Sequence, residues 1–159
     1  MNRIERLEKR WLADRDLQEL SPDHTRAIID ALALAVYADL NVDEQEEEAF
    51  DSLVLSLPCG WSEVEDLDIH ASKAVKAAAT IGSVEGLRAR ANEIAATIPE
   101  HVRDQVFSML IAVAVADLEM HEHEVTALTV FGEAFGFDQA KADMIYADTI
   151  EGLGLVEGD

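Results

Sequence analysis

Ala38-Asp39-Leu40-Asn41-Val42-Asp43-Glu44-Gln45-Glu46 is the stretch on which the fold turns: it leaves one apolar run and opens an amphipathic one with a burst of carboxylates. It occurs twice. Ala116-Asp117-Leu118-Glu119-Met120-His121-Glu122-His123-Glu124 repeats the pattern at an offset of 78 residues. The flanks keep the same offset, with Ile28, Leu32 and Val36 falling on Val106, Leu110 and Ala114, and with Ala49, Leu53 and Leu57 falling on Ala127, Phe131 and Phe135. A pattern that recurs with its flanks at one fixed period points to a duplicated helix-turn-helix unit.

Outward from these turns, apolar residues recur at three and four, Gly and Pro are sparse and no alternating β-branched run appears, so the chain reads as all-α. A first helix is expected over about residues 2–19, with Ile4, Leu7, Trp11, Leu12 and Leu17 on one stripe. Ser21 is a capping residue with Pro22 at the first helical position, where a missing amide hydrogen costs nothing. The helix that follows is apolar on most sides towards its end and should run through the middle of the core. Asp43 and Glu46 have capping-box spacing. Ser62 opens a helix through about Ala79, Ser83 caps one to about Ile98, and Pro99 precedes an apolar helix expected over Val102 to Leu118. A further helix ends at Gly136, and Asp138 caps a last one carrying Met144, Ile145 and Ile150. The expectation is a compact bundle of about seven to eight helices, built from two pseudo-symmetric helical repeats. No Pro/Gly/Ser-rich linker separates the units, so residues 1–159 read as a single domain, with repeat one over about 21–79 and repeat two over about 99–155.

A chain of 159 residues with 49% apolar content can bury a substantial core. Its 33 acids against 12 Lys and Arg give a formal charge of −21, which repels nucleic-acid phosphates and anionic membranes and favours divalent cations and basic partners. Five of the twelve bases fall in the first fifteen residues, each with an acid nearby, as on a mixed-charge helix face. The single cysteine, Cys59, excludes an internal disulfide and a cysteine-rich metal knuckle. The N-terminal residues lack the apolar core of a secretion signal, and no apolar run reaches the ~18 residues of a membrane span. Cytoplasmic localisation is therefore expected. These features leave a basic or membrane-associated protein partner and a homo-oligomer open, and argue against nucleic acid and direct membrane insertion.

The acidic turns carry the candidate chemistry. Five carboxylates between Asp39 and Glu47 offer hard oxygen ligands at a density that suits calcium, magnesium or manganese. His121 and His123 make the second turn more receptive to zinc. An EF-hand is excluded: Asp39, Asn41 and Asp43 take its first ligand spacings, but Glu44 stands where that loop needs Gly and Phe50 where it needs a bidentate Glu. No Glu-x-x-His pair, zinc-protease helix, phosphate loop or nucleophile elbow occurs. Helix-start chemistry alone accounts for Asp43, Glu44 and Glu46, each stabilising by roughly 0.3–1 kcal/mol. It does not account for Asp39 and Asp117, which sit at helix ends where the dipole disfavours an anion. Each is followed seven residues later by a Glu, at Glu46 and Glu124.

The repeated Ala-Asp-Leu-x-x-x-x-x-Glu, with its apolar helix before and amphipathic helix after, resembles the tellurite-resistance TerB-like family over about residues 21–58 and 99–137. The resemblance implies an all-helical fold of two pseudo-symmetric repeats, and the lack of any recognisable catalytic base or nucleophile points to a non-enzymatic protein. The resemblance also implies an acidic divalent-metal site serving a cytoplasmic stress-response system. Carried over, it points to Asp39 and Glu46 in the first repeat and Asp117 and Glu124 in the second, with Asp43 and its counterpart His121 as further ligands. The cation would be calcium, manganese, magnesium or zinc. The family pattern has Gly directly after the Asp, where this chain has Leu40 and Leu118. The alternative is an acidic protein-interaction or scaffold domain with no metal site.

Overall fold

Ser21 opens the first helix that the structure describes. Its hydroxyl accepts the backbone N–H of His24 at 3.2 Å, its carbonyl accepts from Thr25 at 3.0 Å, and Pro22 takes the first helical position. The computed structural model of the chain describes residues 19, 21–37, 50, 64–81, 83–115 and 122–152; at 22, 64–68 and 122–124 the description covers the backbone alone. Among these residues there are six α-helices, one 3-10 turn and no strand. The helices are α1 (Pro22–Tyr37), α2 (Val64–Ala79), α3 (Val84–Thr97), α4 (Arg103–Ala114), α5 (Glu122–Ala134) and α6 (Gln139–Gly152), and the 3-10 turn spans Glu100–Val102 just before α4. The expected helices over residues 2–19 and beyond Asp43 lie outside the described residues, apart from Phe50, which is helical and buried.

Two helices form the centre. Every residue of α1 from Ala31 to Val36 is buried, as is every residue from Met109 to Val115 along α4 and just past it. A helix apolar all round its circumference must be covered on all sides, and α1 is packed by α2, α3, α4 and α5, while α4 is packed by α1, α5 and α6. Small residues allow the close approach of α2 to α1, where Ala74 and Ala78 are buried. Leu87, Ala91, Ile94 and Ala95 line the buried face of α3. These side chains belong to one hydrophobic cluster, in which each fully buried large side chain contributes about 1.5–3 kcal/mol.

The punctuation expected from sequence is in place. Ser83 accepts the Gly86 N–H at 3.0 Å as the cap of α3, and Asp138 accepts the Lys141 N–H at 2.8 Å ahead of α6. Gly136 closes α5 at φ +82°. The bounds of the apolar helix of the second unit change in detail. The apolar helix of the second unit opens as a 3-10 turn and becomes α-helical only at Arg103. It ends at Ala114, where the Val115 N–H is shared between the Ile111 and Val113 carbonyls. On α6, Ile145 is buried but Met144 is 57% exposed. An aromatic group of Phe107, Phe131, Phe135 and Phe137, with centroids 5.4–6.4 Å apart, packs α4 against the end of α5.

Candidate functional site

The two acidic turns emerge from the two central helices. Asp39 follows α1 by two residues, and Asp117 follows the last residue of α4 by three. Asp39, Asp43, Glu46, Asp117 and His121 lie outside the described residues, and Glu124 is the third residue of α5, with only its backbone described. What the structure supplies is the frame around them. On leaving α1, Tyr37 meets Phe50 edge-to-face at 5.4 Å and 84°, so the twelve residues between these rings start and finish at one point of the core. The second turn is bounded by buried Val115 and by the start of α5 at Glu122.

Most described helices of this acidic chain, α1 and α4 among them, lack a basic residue in the last turn. Cations are the ordinary complement of the negative end of the helix dipole, yet neither α1 nor α4 has a basic residue in its last turn. The partial negative charge of the last carbonyls therefore adds to that of the following aspartates instead of being neutralised within the helix. Oxygen donors combined with a negative dipole end favour a hard divalent cation. Among the described residues no three His, Cys, Asp or Glu side chains come together as a metal would require.

A different polar node is fully visible, and sequence reading missed it. Asp30 is the one charged residue inside the buried run of α1 and is itself only 18% exposed. His70 of α2 approaches its Oδ1 with Nε2 at 2.9 Å, and Arg90 of α3 approaches Oδ2 with Nη2 at 3.4 Å. His70 Nε2 also lies 3.3 Å from the Arg26 carbonyl. Both neighbours of that nitrogen are acceptors, so Nε2 carries the proton and donates. Arg90 extends the chain of contacts to Glu93 at 3.1 Å. The node ties α1, α2 and α3 together and keeps the Asp30 carboxylate supplied with donors. The sequence signal was a lone Asp within an apolar helix, but its partners are 40 and 60 residues away, beyond the reach of any local pattern.

The family model described as tellurite resistance protein TerB matches residues 18–147 of this chain. The chain belongs to the TerB family. That span takes in both acidic turns and all of the described helices except the end of α6. No curated protein and no solved structure matches the chain. The TerB assignment agrees with the resemblance carried by the repeated Asp and Glu, and with the all-helical architecture around them. Among the described residues, no helix of this TerB-family chain is long and apolar enough to cross a membrane.

Proposed function

We propose that this TerB-family chain is a non-enzymatic module that binds a divalent cation at its acidic turns, within a cytoplasmic, tellurite-resistance-like stress-response system. The observation that carries the reading is the recurrence of an Asp just beyond each central helix, followed seven residues later by a Glu, where neither helix end has a base of its own. Asp39, Asp43 and Glu46 would hold the cation in the first turn and Asp117, His121 and Glu124 in the second. The first set is all oxygen and suits calcium, magnesium or manganese, whereas the imidazole makes the second more receptive to zinc. When bound, the cation supplies charge neutralisation, and the side chains supply its ligands. The pseudo-symmetric arrangement belongs to the same proposal: the 78-residue offset of the motifs carries Pro22–Tyr37 onto residues 100–115, the span of the 3-10 turn and α4. The two repeats, about 21–79 and 99–155, form a single domain in this reading.

Isothermal titration of metal-stripped protein tests it. Calcium, manganese, magnesium or zinc should give saturable heats that vanish when Asp39 and Asp117 are both replaced by Ala. Absent heats, or heats unchanged in that double variant, would refute the metal site. A formal charge of −21 favours the second reading, in which the acidic surface meets a basic or membrane-associated protein partner and the turns are only capped helix starts. In that case Glu46→Ala lowers stability by about 1 kcal/mol, and added metal changes nothing.

A further inference from the structure

We draw no further inference here: the strongest candidate, the cleft of about 310 Å³ between α2 and α3 beside Asp30, has a floor closed by buried Leu34, Ala74 and Ala78 and a carboxylate already held by His70 and Arg90, and nothing in the structure shows what covers it.

Discussion

Arg103 does more for this fold than its place at the start of α4 suggests. Its guanidinium donates to the carbonyls of Ala95 at 3.0 Å, Ile98 at 3.3 Å and Phe135 at 3.3 Å, and it lies 6.0 Å from the centre of the Phe135 ring. One cation thus satisfies the last carbonyls of α3 and α5, which have no partners of their own within those helices. Hydrogen bonds to a charged donor contribute about 1.5–3 kcal/mol. Arg103→Ala should therefore lower the unfolding free energy by about 2 kcal/mol or more, and Arg103→Lys should recover only part, because a single ammonium cannot span three carbonyls. Urea denaturation monitored by circular dichroism checks this, and an unchanged midpoint for Arg103→Ala would contradict it. Ser108 and Thr149 make a smaller junction of the same kind. The Thr149 hydroxyl donates to the Ile145 carbonyl at 2.8 Å, so the 2.7 Å contact between the two hydroxyls is donated by Ser108, joining α4 to α6.

At the scale of the element, the connection from α5 to α6 is fixed by the way α5 ends. The Phe137 N–H donates to the Gly132 carbonyl at 2.9 Å and the Gly136 N–H to the Glu133 carbonyl at 3.0 Å, the pair of bonds that defines a Schellman ending. Gly136 takes φ +82° there, and no heavy atom lies within 4 Å of where a Cβ would stand. Substitution at Gly136 is thus opposed by backbone strain and not by packing. Gly136→Ala should lower stability by about 1–2 kcal/mol, with a smaller loss for Gly136→Asn, since asparagine tolerates the left-handed region. The check is the urea midpoint at unchanged m-value; equal stability of the Ala variant and the parent would mean the turn relaxes to another conformation.

For the whole molecule the dominant quantity is a formal charge of −21 on 159 residues. Ion pairs among the described residues are mostly exposed, as between Arg26 and Asp23 or Lys141 and Asp104, and exposed pairs contribute little. Self-repulsion of the excess carboxylates therefore opposes the compact state. With divalent metal chelated, raising sodium chloride from about 0.01 M to about 1 M shortens the screening length from ~30 to ~3 Å. The melting temperature should rise, with about 1 kcal/mol of relieved repulsion corresponding to roughly 2–4 °C. A melting temperature that falls with salt would mean that attractive pairs outweigh the repulsion. Chelation keeps this effect separate from that of a bound cation.

What was legible from the chain alone was whatever its local chemistry decides. Ser21, Ser83, Gly136 and Asp138 each act within one turn of their own position, so the helix boundaries they mark could be read directly. The continuous apolar runs of α1 and α4 announced central helices because no exposed helix can be apolar on every side. The repeated Asp and Glu pointed to the TerB family before any geometry was known. Contacts between distant residues were beyond that reading. Asp30 meets His70 and Arg90, Arg103 meets Phe135, and α5 and α6 both settle on α4. Such features depend on which helix faces meet, and burial energy is nearly indifferent to direction; the close-packed arrangement of the helices decides those meetings.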